Sequence, residues 1–245
     1  MPHMNDHTIS TQTLDLLAKY DTPTVCNAIE LFNVRPRNTG YMDARIRACF
    51  PELPPMVGFA NTATFRAAAP AATDAYSSLE EQIAAFAALP APPVMVFEDL
   101  DTPCAAATFG EIMCTTYRAF GAVGLITSGT GRDLEQVRAL DFPVFTNGAI
   151  CAHGYCHIPI TGVTVTVGGV TIQPGDLLHG DCNGVTTIPL DIAADVAKAC
   201  GVFMDAEAVI VSYLKGDRLT PEGLCEATAE CHRIIDALAE QVARN

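Results

Sequence analysis

Two short stretches carry groups that could do chemistry together. Gly110-Glu111 and Arg132-Asp133 are separated by twenty residues. Gly110 stands where a helix should start, and N–H groups at a helix start lack intrahelical partners and bind anions. The amides of Glu111, Ile112 and Met113 could therefore hold a carboxylate. Arg132 can grip an oxyanion through two parallel bonds. Asp133 can hold a divalent cation, because Mg²⁺ keeps several waters, takes ligands from its substrate and needs only one protein carboxylate. Taken alone, however, the Arg-Asp pair reads more simply as a helix cap and a surface charge, since Asp133 is well placed as an N-cap.

The elements that must position these residues can be traced from the pattern. Gly110 to Phe120 reads as a helix, AVGLIT as a strand and Ser128-Gly129-Thr130-Gly131 as the loop that delivers Arg132 and Asp133. A helix and strand of this length form a βαβ-like unit whose two ends converge at one sheet edge. Asp133 to Leu140 is a predicted short helix, with a strand after Pro143. Upstream, Thr22 is the expected N-cap of a helix with Pro23 in its first turn. A strand follows Gly58, an amphipathic helix starts at Ser78, and Val94 to Phe97 is a buried strand. Downstream, VTVTV, Gly168-Gly169, VTI, Pro174-Gly175, DLLHG and GVTTI form a β-rich block with turn signals. Pro189 opens a helix to about Gly201, and Pro221 opens a long terminal helix. The order predicts α/β layers with a mixed sheet. It reads as a single domain over 1–245, with a core of about 14–205 and a C-terminal helical extension of about 206–245.

Composition narrows the function classes. The 245 residues suffice for a sizeable core, and 49% are hydrophobic against 17% charged. A net charge of −14 without a Lys/Arg cluster speaks against nucleic-acid binding. The most apolar stretch, Ile83 to Phe97, is interrupted by Pro90, Pro92 and Pro93, so no membrane span is expected. The opening MPHMNDH lacks a basic region followed by an apolar run, which argues against a signal peptide. The ten cysteines are irregularly spaced. They read as reduced thiols in a cytoplasmic protein. Cys151, His153, Cys156 and His157 have metal-binding side chains, but C-x-H-x2-C-H matches no common zinc pattern.

The stretch GEIMCTTYRAFGAVGLITSGTGRDLEQVRALDFPVFTNG resembles the RraA-like family, which includes 4-hydroxy-4-methyl-2-oxoglutarate aldolases. The segment VTVGGVTIQPGDLLHGDCNGVTTIP is similar to that family's "GG-V-x-V-x-PGD…D-x-x-GV-x-x-IP" pattern. The likeness extends weakly to TPTVCNAIE and VGFANTATF, covering about residues 14–205. It implies an α/β/β/α sandwich with a swivelling β/β/α core, assembled as a trimer or hexamer. It also implies a divalent-metal-dependent lyase, using Mg²⁺ or Mn²⁺, that releases pyruvate from a small 2-oxo acid by retro-aldol cleavage or decarboxylation. Residue by residue, it gives Glu111 the orientation of water at the metal, Arg132 the substrate and Asp133 the metal. Gly110, Glu111, Ile112 and Met113 supply the substrate-binding backbone. Two family carboxylates are absent, where this chain has Ser128-Gly129 and Asn27-Ala28, and the segment Ala67 to Leu79 reads as an insertion. The same fold also serves as a non-enzymatic inhibitor of ribonuclease E, and a lyase for a sugar-acid derivative is a further alternative.

The remaining polar residues have simpler readings. Asp176 and Asp181 suit turns between strands, and His179 suits a strand interior or surface. His153 and His157 lie in a loop and are possible substrate contacts. Gly168-Gly169 has neither dinucleotide-loop spacing nor a following helix.

Overall fold

The computed structural model describes residues 9–72, 77–90 and 92–243. The opening MPHMNDH and part of the insertion-like segment lie outside the described residues. In chain order the elements are α1 (Thr11–Leu17), α2 (Thr22–Glu30), β1 (Arg47–Ala48), β2 (Met56–Phe65), α3 (Leu79–Ala84), β3 (Pro93–Asp99), β4 (Ala107–Phe109) and α4 (Glu111–Ala119). Next come β5 (Gly124–Thr127), β6 (Thr130–Gly131), α5 (Leu134–Arg138), β7 (Val144–Thr146), β8 (Val165–Val167), β9 (Val170–Ile172), β10 (Leu177–Asp181), β11 (Gly184–Ile188), α6 (Ala193–Leu214) and α7 (Pro221–Val242). They fall into two compact units, one of residues 38–189 and one combining the chain before residue 38 with the chain from residue 190 onward.

The unit of residues 38–189 is built on a mixed sheet of order β1-β7-β5-β3-β2-β10-β11. Its centre, β2-β3-β5-β7, is parallel, and β1, β10 and β11 are added antiparallel. Successive side chains of a strand face opposite sides, and the central strands use both. Val94, Val96, Ile126 and Phe145 pack with the β8–β9 hairpin residues Val165, Val167, Val170 and Ile172. Met95, Phe97, Leu125 and Val144 pack on the other side with Cys114 and Tyr117 of α4 and Val137 of α5. Hairpin, sheet and helices make the expected β/β/α succession. Because both faces are covered, the inner strands are apolar runs rather than alternating ones.

In the other unit, α6 packs against α1, α2 and α7. Asp21, rather than Thr22, caps α2: its carboxylate accepts the Thr24 N–H at 2.8 Å, and Thr22 is the first helical residue. Helix α6 does not stop at Gly201 but runs unbroken past the expected boundary near residue 205, ending at Leu214. Gly201 is a packing glycine, since a Cβ there would lie 3.0 Å from the Tyr20 hydroxyl.

Candidate active site

The βαβ-like unit brings the two sequence stretches together. Helix α4 begins at Glu111 with Gly110 as an N-cap that has no side chain to satisfy the first-turn amides. Strand β5 returns alongside β3, and the loop after it forms β6, which pairs in parallel with β4, just before α4. Residues 128–131 are held from several sides. The Ser128 hydroxyl accepts the Asp99 N–H at 2.9 Å, and the Thr130 hydroxyl donates to Ala106 O at 3.0 Å. The Thr146 hydroxyl donates to Gly129 O at 2.8 Å. The Gly131 N–H reaches Gly148 O at 3.0 Å and the Arg132 N–H reaches Phe109 O at 3.1 Å. Glycine is needed at 129 and 131 for space: a Cβ would run into the Thr108 hydroxyl and the Phe109 ring, respectively.

Asp133 occupies the N-cap position of α5, but its side chain makes no capping bond there. Its backbone is left-handed, at φ 55° and ψ 38°. That conformation is uncommon without glycine, costs roughly 1–3 kcal/mol and collects at functional sites. It turns the carboxylate away from its own helix toward the start of α4, where Oδ2 accepts the Glu111 N–H at 3.1 Å. Arg132 Nε lies 3.6 Å from the same oxygen, and both side chains remain about one-third exposed. The simple helix-cap explanation of Asp133 thus fails on geometry. The structure also refines the expected anion cradle: the Glu111 amide is already engaged by Asp133, leaving those of Ile112 and Met113 at the open helix start.

Gly110 is fitted to this pair. A Cβ on it would lie 2.6 Å from Asp133 Oδ2 and 3.1 Å from Arg132 Nε. The backbone at Gly110 is ordinary extended chain, so the demand is for room and not for a special dihedral. Around the pair is a cleft of about 240 Å³ lined by 107–113, Arg132, Asp133, His153 and Cys156. All the sequence-nominated residues, Gly110, Glu111, Ile112, Met113, Arg132 and Asp133, line it. His153 joins them, whereas His157 is not on the cleft wall. Cys156 was not singled out as a cleft residue by the sequence. Burial raises its thiol pKa, and the nearby Arg132 charge pulls it partly back.

The donor set can be tested against a divalent cation. Among the described residues no group of three or more His, Cys, Asp or Glu side chains could hold a metal ion. The described residues thus do not bring Cys151, His153, Cys156 and His157 together as a ligand set. A hydrated hard cation on one carboxylate does fit: Asp133 spends Oδ2 on the Glu111 amide, and the open cleft leaves room for water and a chelating ligand.

Behind the loop lies a polar residue that sequence reasoning missed. Asp99, at the end of β3, is buried. Its Oδ1 accepts the Asp101 N–H at 2.9 Å, while Oδ2 is buried without a hydrogen-bond partner. The Cys104 thiol is close to Asp99 and partly offsets the effect of burial on it, and its Sγ also lies 3.8 Å from Ser128 O. Burial raises the Asp99 pKa. The acidic residue closing a buried strand, EDLD after VMVF, was the available signal.

Residues 22–187 match the RraA-like family, described as Aldolase/RraA. The chain belongs to that family. A protein of Halalkalibacterium halodurans named "Putative 4-hydroxy-4-methyl-2-oxoglutarate aldolase" is 37% identical over 92 residues, 37% of this chain and 44% of that protein. The chain thus aligns with less than half the length of that curated relative. An uncharacterised protein from Pseudomonas syringae pv. tomato has a similar structure, with a TM-score of 0.72 and 22% identity over 94% of this chain and 98% of that one. RraAS2 of Streptomyces coelicolor, described as an unusual member of the RNase ES inhibitor RraA protein family, gives 0.65 and 20% over 82% and 96%. These likenesses bear out the RraA-like α/β fold. Asp176 flanks a turn as expected, accepting the Gln173 N–H at 2.8 Å, whereas Asp181 is the buried last residue of β10 and accepts the Asn183 N–H of the following turn at 2.8 Å. His179 is fully buried. No disulfide joins any of the ten cysteines. No helix among the described residues is long and apolar enough to cross a membrane.

Proposed function

We propose that this chain is a divalent-metal-dependent carbon–carbon lyase that releases pyruvate from a small 2-oxo acid, by retro-aldol cleavage of a 4-hydroxy-2-oxo acid or by decarboxylation of oxaloacetate. The observation that carries the reading is the left-handed turn at Asp133, which gives up a helix cap to face the carboxylate toward Arg132 and the start of α4. Asp133 is the residue that would hold Mg²⁺ or Mn²⁺. When bound, such an ion supplies Lewis acidity toward the carboxylate and keto oxygen of the substrate.

The chain's own groups supply the rest. The amides of Ile112 and Met113 bind the substrate carboxylate at the positive end of α4. Arg132 adds a planar cationic clamp that strengthens as negative charge develops on the keto oxygen during C3–C4 cleavage. Glu111, on the exposed first turn, directs a water that protonates the pyruvate enolate at C3. The acidity of the whole chain does not oppose an anionic substrate, because a bound divalent cation would offset the Asp133 and Glu111 carboxylates and leave Arg132 and the helix-start amides to meet it.

The same reading places the chain in a homotrimer or hexamer. It is tested by following pyruvate release from 4-hydroxy-4-methyl-2-oxoglutarate and from oxaloacetate, with Mg²⁺ and with EDTA. Metal-dependent release from either supports the lyase. No release from either, together with inhibition of a ribonuclease E-type enzyme, would favour the regulatory role that other family members have. Release only from a sugar-acid derivative would redirect the substrate class.

A further inference from the structure

The lyase reading leaves one proton without an acceptor. Retro-aldol cleavage needs a base for the 4-hydroxyl, and the cleft restricts the choice. Its ionisable lining groups are Glu111, Arg132, Asp133, His153 and Cys156. Arg132 is a permanent cation. Asp133 is engaged by the Glu111 amide and lies beside Arg132. Cys156 is exposed, but desolvation of its thiol raises the pKa against the pull of Arg132, which makes it the poorer proton acceptor. Glu111 is assigned to the other end of the breaking bond, at C3.

His153 remains, and its environment fixes its chemistry. Its Nδ1 lies 2.9 Å from Gly154 O. A carbonyl oxygen only accepts, so Nδ1 carries the proton and donates it. In the neutral ring the lone pair is then on Nε2, the arrangement a general base requires. The residue is exposed at the cleft wall, where a substrate can reach it. Its segment is anchored on both sides: the Ala107 N–H donates to Ala152 O at 2.8 Å, and the Tyr155 N–H to Ala67 O at 3.1 Å. Gly154 permits the turn, with φ 51° and a Cβ position 2.8 Å from Ala67 O.

We propose that His153 Nε2 is the general base that removes the 4-hydroxyl proton in retro-aldol cleavage, which makes His153 the residue that separates aldolase from decarboxylase activity. The inference rests on the lyase reading. In the step, Nε2 takes the hydroxyl proton and the C4–O bond becomes a carbonyl. The C3–C4 electron pair moves to C2–C3, and the keto oxygen takes the negative charge of the enolate. The imidazolium then returns its proton to solvent. Decarboxylation of oxaloacetate expels CO₂ and has no hydroxyl proton to remove, so it does not call on this base.

The experiment compares wild type, His153→Gln and His153→Ala on 4-hydroxy-4-methyl-2-oxoglutarate and oxaloacetate, both with Mg²⁺. General-base catalysis contributes about 10²- to 10⁴-fold. Cleavage should fall by that order, and the ratio of cleavage to decarboxylation should fall with it. Added imidazole should restore part of the cleavage rate in His153→Ala. Equal loss on both substrates, or no loss on either, overturns the assignment. A wild type that decarboxylates oxaloacetate but does not cleave the hydroxy acid overturns the base while sparing the lyase. A wild type inert to both removes the lyase reading and the base together.

Discussion

The two walls of the cleft are built differently. The wall that carries Arg132 and Asp133 is tied by backbone and hydroxyl bonds to β4, β7 and the end of β3, and its glycines leave no room for side chains. The segment from 151 to 157 is largely exposed, and the bonds that His153 and His157 make through Nδ1 go to carbonyls of their own segment, Gly154 and Tyr155. The contrast divides the work. Groups that meet charge developing in the transition state must be held in place beforehand. His153, which meets the variable part of the substrate through one nitrogen, sits on a loop held by backbone bonds, those of Ala152 and Tyr155 among them.

The largest effect should come from the rigid wall. Asp133→Ala should abolish metal-dependent turnover and metal binding, seen by isothermal titration with Mn²⁺; wild-type affinity in the variant would remove Asp133 from the account. Gly110→Ala comes next. The added methyl must displace the Asp133 carboxylate or Arg132, and misplacement of about 1 Å can cost on the order of 10²-fold in rate. Overpacking should also destabilise the fold by about 1–3 kcal/mol, read from urea unfolding. Unchanged kcat/KM would show that the wall is softer than its contacts suggest.

Arg132→Lys keeps the charge but loses the planar fork. It should raise KM and lower kcat, a loss of roughly 1.5–3 kcal/mol or about 10- to 150-fold in kcat/KM. Glu111→Gln should instead lower mainly kcat and leave metal affinity intact, because Glu111 lies on the exposed first turn and acts through water. If both variants shift KM and kcat alike, the division of labour between them is wrong.

The smallest effect concerns Asp99 behind the loop. Its pKa is raised in the fold, so the fold prefers its protonated form. The stability this gives is present below the unfolded carboxylate value of about 4 and is lost as pH rises through the higher folded value. Asp99→Asn should therefore gain on wild type between pH 4 and neutrality, measured as the difference in urea midpoint. A difference that does not move with pH would mean that Asp99 is solvated.

The order of elements was readable because period and punctuation agree. The VMVF run, Pro221 and the Gly-Glu…Arg-Asp spacing each have a local physical cause. What was not readable depends on tertiary contacts. Nothing local marks Asp133 as left-handed, and its position before α5 mimics an ordinary cap. Gly110 and Gly131 look like loop glycines, yet they are required by the Asp133 carboxylate and the Phe109 ring. Gly201 looked like a helix end because the Tyr20 hydroxyl it accommodates is remote in sequence.

The central claim, that the Asp133–Arg132–Glu111 cleft stabilises and protonates a pyruvate enolate, can be tested without the true substrate. Pyruvate incubated in D₂O with the protein and Mg²⁺ should exchange its methyl protons, followed by ¹H NMR. EDTA and Asp133→Ala should stop the exchange, and Glu111→Gln should slow it. Exchange that continues at the wild-type rate in excess chelator, or that is absent from wild type with Mg²⁺ or Mn²⁺ present, would contradict the claim.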